Sequence, residues 1–278
     1  MPEGDTVFLA GRRMDEALAG NVLTRGELRH PRLVETTLAG RSVLGVRSVG
    51  KHLFTRFGDG VSLHTHFKMD GAWHLYRPAE KWRGRAHDIR AVLATEQWTA
   101  VGFRLHDMAL LRTDRESELV GHLGPDLLAD DWDDTMADEA ARRLAGQGGR
   151  EIGDALADQR VMAGVGNLYK AEVCFLLGVS PWTPVADLPA DAVPRAVALS
   201  RKLLHRNAWR PEQSTTGELA RGRQHWVYGR TGRPCLRCGT PVRSGQQGSF
   251  VPARHTWFCP RCQPGPAPGG TSGRAGVR

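Results

Sequence analysis

CLRCGTPVRSGQQGSFVPARHTWFCPRC, residues 235–262, carries the most specific signal in this 278-residue chain. Cys235, Cys238, Cys259 and Cys262 form a C-x2-C-x20-C-x2-C pattern. Two such knuckles set four thiolates at the corners of a tetrahedron, which suits one structural zinc ion. Four sulfur ligands leave no open coordination position, so the metal is expected to hold the module rather than to catalyse. A redox C-x-x-C stands alone beside a helix, which this pair of pairs does not. A unit this small is not expected to keep its shape without the metal. The segment between the knuckles is hairpin-sized and presents Arg243, Arg254 and Arg261. Arg254 is placed to reach a phosphate; the plain alternative for any single arginine is a solvated surface charge.

Charge extends the signal outward. From Arg221 to the C-terminus there are 10 arginines, no lysine and no acid, whereas residues 1–220 net −2, with 28 bases against 30 acids. Positive charge concentrated in one C-terminal module points to a polyanion partner. Cys174 stands apart among Val173, Phe175 and Leu177 and reads as core. No run approaches the length of a membrane span and no secretory signal is visible, so a cytoplasmic protein with no membrane partner is expected.

Upstream the texture changes twice. GDTVFLAGRRMDEALAG, from Gly4, reads as a helix with Val7, Met14 and Leu18 on one stripe and Asp5 or Thr6 as its cap. Seven β-rich segments follow up to Phe103, among them VSLHTHF, where Val61, Leu63, Thr65 and Phe67 alternate with Ser62, His64 and His66. They imply a sandwich or barrel. His64 and His66 invite a metal reading, but the sequence offers no third ligand. Seven acids and no base between Asp126 and Glu139 read as a solvated linker entering a helix. Helical patterns follow over 133–145, 151–158, 168–177 and about 190–206. Gly164, Gly166 and Asn167 form a Gly-rich turn that feeds a helix N-terminus, where backbone N–H groups and the helix dipole favour a phosphate. A plain tight turn is the alternative. The Pro/Gly/Ser-rich end reads as a disordered tail.

With these pieces placed, the chain resembles the formamidopyrimidine-DNA glycosylase and endonuclease VIII family, its MPEGDT start being most like the endonuclease VIII branch. The resemblance rests on MPEGDT (1–6), GKHLF around Lys51, GVGNLYKAEV around Asn167 and VYGRTGRPCLRCGTP with ARHTWFCPRC. It implies a multidomain α+β protein: an N-terminal β-sandwich domain with an N-terminal helix (1–118), a linker (119–132), a helix–two-turn–helix DNA-binding domain (133–225), a zinc-finger hairpin (226–264) and a disordered tail (265–278). It also implies a bifunctional DNA glycosylase and AP lyase. Loss of Met1 would expose Pro2, whose secondary amine displaces the base at C1′ and forms an iminium with the opened sugar, leading to β- and δ-elimination. Glu3 would move protons beside that amine, and Lys51 would contact the phosphate near the lesion. Met69 would enter the gap left by the extruded base, with a core methionine as the alternative. Asn167 and Arg254 would grip phosphates, and His66 and Tyr228 would face DNA. The partner implied is damaged double-stranded DNA, met by a monomer carrying one structural Zn2+.

The sequence departs from the formamidopyrimidine branch in two places. It has RLHDMALL (104–111) where that branch has a Phe-Gly wedge, and Gly153 where that branch has a lysine. Oxidised pyrimidines are therefore the expected substrates, with an oxidised-purine glycosylase as the alternative. A non-catalytic zinc-ribbon DNA-binding protein would explain the charge and the cysteines, but not Pro2, Glu3 or Lys51.

Overall fold

The computed structural model describes residues 2–248 and 254–268. The chain divides into two compact units, residues 1–123 and 124–278.

In the first unit α1 (Gly4–Leu18) buries Val7, Met14 and Leu18, the expected stripe. Glu3, not Asp5 or Thr6, occupies its N-cap position, and no side chain caps it. Asp5 lies inside the first turn and is buried there, where the helix dipole favours a negative charge. Eight strands follow: β1 (Arg25–Leu28), β2 (Val43–Val49), β3 (His52–Phe57), β4 (Val61–His66), β5 (Ala72–Tyr76), β6 (Ile89–Ala94), β7 (Thr99–Phe103) and β8 (Asp107–Arg112). They make two four-stranded antiparallel sheets, in the orders β1-β6-β7-β5 and β2-β3-β4-β8. One core draws on both sheets and on α1, with Leu28, Leu93 and Ala100 from the first, Val43, Leu53 and Leu63 from the second, and Met14 from the helix. This is the expected sandwich. A single helical turn, α2 (Ser117–Val120), closes the unit.

Two features differ from the sequence expectation. The strand series does not stop at Phe103: β8 pairs with β4 along its whole length, from Val61↔Arg112 to His66↔Asp107. DMALLR lacks period-2 alternation and is rich in helix formers, so only non-local pairing makes it a strand. The polar face of β4 is also covered. Ser62 is fully buried and donates to Glu116 Oε1 at 2.6 Å, and Arg56 pairs with the same carboxylate at 2.6 Å.

In the second unit the acidic stretch is less solvated than its composition suggests. Leu127 and Leu128 are buried, and Asp126 bridges to Ala163. Asp133 then caps α3 (Asp134–Ala145), accepting from the Met136 N–H at 2.8 Å. The helices α4 (Ile152–Ala157), α5 (Asn167–Leu177) and α6 (Ala192–Asn207) follow, then an antiparallel hairpin of β9 (Arg243–Gln247) and β10 (Arg254–Phe258). Gly178, in the left-handed conformation at φ +76°, ends α5. The start of the segment expected to be a loose tail is attached: Ser180 Oγ donates to Pro266 O at 2.5 Å, and Pro268 fills the space beside Gly245. The remainder of that segment, 269–278, lies outside the described residues.

Candidate functional site

In the first unit, the packing of α1 on β2 orients the N-terminus. Asp15 Oδ1 accepts from the Val46 N–H at 2.7 Å. One helical turn earlier, a Cβ on Gly11 would lie 2.9 Å from Leu53 Cδ1 and 3.6 Å from Ser48 N. Four helical residues rise about 6 Å and two strand residues about 6.6 Å, so helix and strand run antiparallel in step. Glu3 precedes the first turn of this helix, and β2 runs on to the turn that joins it to β3. That turn is Gly50-Lys51, closed by the Val49↔His52 pair, with Gly50 at φ +57° as a two-residue hairpin of this type requires. Glu3 is completely buried, and Pro2 and Lys51 are half-buried.

Beside Lys51 lies a group of imidazoles. His52 Nδ1 and His64 Nε2 are 2.9 Å apart, and the His52 ring stands edge-on to His66 at 5.0 Å. Burial, then the neighbouring His66 and His64, push His52 down to about 3; burial and then Lys68 push His66 down to about 4. All three rings are therefore held neutral near pH 7. His52 is the third imidazole that the sequence reading lacked. The cluster is still not a metal centre, because two of its nitrogens bond to each other. His66 Nδ1 in turn accepts from the Lys68 N–H at 2.9 Å.

Met69 is 65% exposed, which excludes the core reading. It caps a turn braced on both sides by the β7–β8 connection. Lys68 Nζ meets Asp107 at 2.8 Å, and Arg104 Nε meets Asp70 at 3.0 Å. Lys68 and Arg104 both take positive φ, +51° and +49°. Two non-glycine residues in that region mark a turn whose shape is over-determined by its surroundings.

In the second unit, the Gly164–Gly166 turn is held by a residue that the sequence reading passed over. Gln159 donates to Val165 O at 2.7 Å and Ala157 O at 2.9 Å, and accepts from the Gly164 N–H at 3.0 Å. Gly166 occupies the N-cap of α5 and Asn167 its first position. Asn167 Nδ2 donates to His255 O at 2.9 Å, tying the helix start to β10 beside the exposed Arg254. Asn167 and Arg254, far apart in sequence, are thus brought together. Asn167 Oδ1 is buried with no partner among the described residues.

Glu172, one turn further along α5, was also missed. Its fully buried carboxylate accepts from three successive backbone N–H groups, those of Trp226 (2.8 Å), Val227 (2.9 Å) and Tyr228 (2.8 Å), and from the Thr215 hydroxyl. It thereby sets the segment carrying Tyr228, whose ring meets Trp257 of β10 edge-on at 4.6 Å. A lone acid inside NLYKAEVCFLL was the available signal, since a charge in an apolar helix needs partners.

The four cysteines of the hairpin module come together. Their sulfurs all lie within 4.8 Å of one another, with Cys238 and Cys259 at 3.5 Å and Cys235 and Cys262 at 3.9 Å. Backbone N–H groups of Arg237 and Cys262 point at Cys235 and Cys259 Sγ. A hydrogen bond from Thr240 lowers Cys238 to about 6, while burial raises Cys259 and Cys262. Four adjacent sulfurs cannot all ionise without a cation among them, so the donor set fits a metal ion. Among the described residues this is the one group of histidine, cysteine or acidic side chains that can hold one. The module packs on α5 through Phe175, Ala171 and Val242, with Arg237 stacked 4.3 Å over Phe175. Cys174 is fully buried and its thiol is pushed up to about 12, chiefly by that burial, so it is inert.

Residues 1–124 match the family model for the formamidopyrimidine-DNA glycosylase N-terminal domain. The "Probable endonuclease 8 2" of Streptomyces coelicolor is 52% identical over 100% of this chain and 99% of its own. The "DNA-(apurinic or apyrimidinic site) lyase Nei2" of Mycolicibacterium smegmatis is 43% identical over 95% of this chain and 99% of its own. In shape, the chain is similar to a Lactococcus lactis formamidopyrimidine-DNA glycosylase solved non-covalently bound to AP-site DNA. That likeness has a TM-score of 0.77 at 22% identity, covers 95% of this chain and 100% of the other, and bears on the fold alone.

Proposed function

Because the chain belongs to the formamidopyrimidine-DNA glycosylase and endonuclease VIII family, we propose that it is a base-excision repair glycosylase with AP lyase activity, acting on oxidised bases, pyrimidines foremost. The observation that carries the reading is the completely buried Glu3 directly after Pro2, at the start of the helix that packs on β2. After loss of Met1, the Pro2 nitrogen attacks C1′ of the lesion, and the base leaves with a proton. Glu3 protonates the sugar ring oxygen, and the opened sugar is held as an iminium. That cation acidifies the C2′ hydrogen, so the 3′ phosphate leaves by β-elimination and the 5′ phosphate by δ-elimination. An N-terminal amine titrates near about 7.7–8.0 against about 10.4 for a lysine, so more of it is unprotonated at neutral pH.

Lys51 takes the phosphate next to the lesion, His66 faces the DNA, and Met69 fills the vacated stack. Asn167 and Arg254 grip the backbone on the helical side, where Tyr228 faces the DNA. Zinc, held by Cys235, Cys238, Cys259 and Cys262, supplies shape to the hairpin and no chemistry. The partner is damaged duplex DNA, met by a cytoplasmic monomer at the nucleoid. The divisions at 118/119, 132/133, 225/226 and 264/265 are part of this reading.

Borohydride trapping across a panel of damaged oligonucleotides tests the proposal. A covalent adduct mapping to Pro2, lost in Pro2→Gly and suppressed in Glu3→Gln, is the expected result. Trapping that survives a blocked N-terminus would overturn the mechanism. Stronger excision of 8-oxoguanine than of thymine glycol would move the substrate to purines.

A further inference from the structure

Between α3 and α6 the second unit holds a concavity of about 770 Å3. It exists because small side chains face across it: Ala137 and Ala141 from α3, Pro194 and Ala198 from α6, over a floor of Val197. One wall is the Arg201 guanidinium, stacked 4.8 Å over the Trp132 ring and tied to Leu127 O at 2.5 Å. Lys202, His205 and Arg206, all exposed, form the rim along the last turns of α6, and Asp138 is the one acid in the lining. Past the rim, Trp209 is 51% exposed with its ring 6.1 Å from His205. Cations at a helix C-terminus suit the dipole, which accounts for His205 and Arg206. The dipole does not account for an open apolar floor framed by Trp132 and Arg201, residue types that dominate binding hot spots.

We propose that this groove docks an acidic amphipathic helix of a partner protein. From Pro194 to His205 the groove follows α6 for about 16 Å, three helical turns, the length over which a guest helix presents anchors at i, i+4 and i+7. Charge selects the occupant. The rim is basic, so acids beside the apolar anchors are complementary, and steering by that rim raises the on-rate. The chain's own last ten residues carry Arg274 and Arg278 and no acid, so they do not match the rim. Nucleic acid would meet the rim cations but would leave the apolar surface of Val197 and the alanines uncovered. A second copy would have to present its own acidic stretch, but Leu127 and Leu128 of that stretch are already buried.

The test uses the full-length protein and a fluorescent synthetic helix of about fifteen residues, with leucines at helical spacing and glutamates elsewhere, read by anisotropy. A charge-swapped version with lysines and a scrambled version serve as comparisons. The acidic helix is expected to bind about tenfold or more tighter than either. Ala198→Trp, which fills the groove, should weaken it by about tenfold, and Lys202→Glu with Arg206→Glu should invert the charge preference. Ala198→Trp should nick abasic DNA at the parent rate, which establishes that the variant is folded. Equal binding of the three peptides, or undiminished binding to Ala198→Trp, overturns the proposal. Displacement of the peptide by undamaged duplex would assign the groove to nucleic acid instead. Concentration-dependent self-association that Ala198→Trp abolishes would assign it to a second copy.

Discussion

Gly153 shows how one absent side chain bears on packing. A Cβ there would lie 2.4 Å from Gln247 Oε1, and that amide is already committed to Glu151 at 3.0 Å, Pro181 O at 2.7 Å and Thr256 at 3.0 Å. Gly153 is therefore the place where α4 meets the β9–β10 hairpin. Gly153→Lys should lower stability by about 1–3 kcal/mol through overpacking, read as a fall in Tm, and should not install purine activity. His52 gives a prediction with a definite sign. The unfolded chain takes this proton near about 6.5, whereas the fold holds His52 to about 3 and His66 to about 4. The unfolded state thus binds more protons between those values. Stability is full above the unfolded pKa, falls as pH drops below it and levels off near the folded values. Between pH values of about 6.5 and 5, where carboxylates stay ionised, Tm should decline on acidification, and His52→Asn should flatten the slope. An unchanged slope would mean that the ring is not held neutral.

At the scale of elements, α5 organises the second unit. All residues from Asn167 to Phe175 are buried, and its two polar ends of contact, Asn167 and Glu172, fasten β10 and the Tyr228 segment respectively. Glu172→Ala would leave three backbone N–H groups without their acceptor, at a cost of about 3–5 kcal/mol. Glu172→Gln keeps the shape but turns an N–H2 toward donors. Both should weaken binding of an abasic duplex, measured by anisotropy, and Gln should do so with the smaller loss of Tm. The braced turn at Met69 behaves as a second element. Met69→Ala should slow base excision from duplex by about tenfold and much less from a single strand, where no stack has to be held open. Equal effects on both substrates would remove Met69 from that role.

At the scale of the whole molecule, the metal-ligand set and the charge distribution decide behaviour. The hairpin module shares a small core with α5, built of Phe175, Val227 and Val242 and completed by the cysteines themselves. Chelation should therefore unfold the module and abolish binding to DNA, followed by loss of hairpin signal in circular dichroism, and zinc should restore both. With ten arginines and no acid beyond residue 220, DNA affinity should fall steeply with salt. Arg254→Ala should reduce the slope of log affinity against log salt by about one.

The spacing of four cysteines, the β-rich run, the four helical patterns and the charge asymmetry were all legible in the sequence, because each is a local or periodic property. β8 was not, since DMALLR becomes a strand only by pairing with β4. Nor were the partners of His52, Gln159 and Glu172, or the attachment of residues 265–268, because each depends on groups brought close by the fold. The open groove beside α6 belongs to the same class: alanines facing across two helices look like ordinary helix formers until the helices are placed side by side. Sequence determined which segments bury themselves and what chemistry they carry. Tertiary structure alone decided which polar groups meet, because a buried hydrogen bond is fixed by proximity in space and not by distance along the chain.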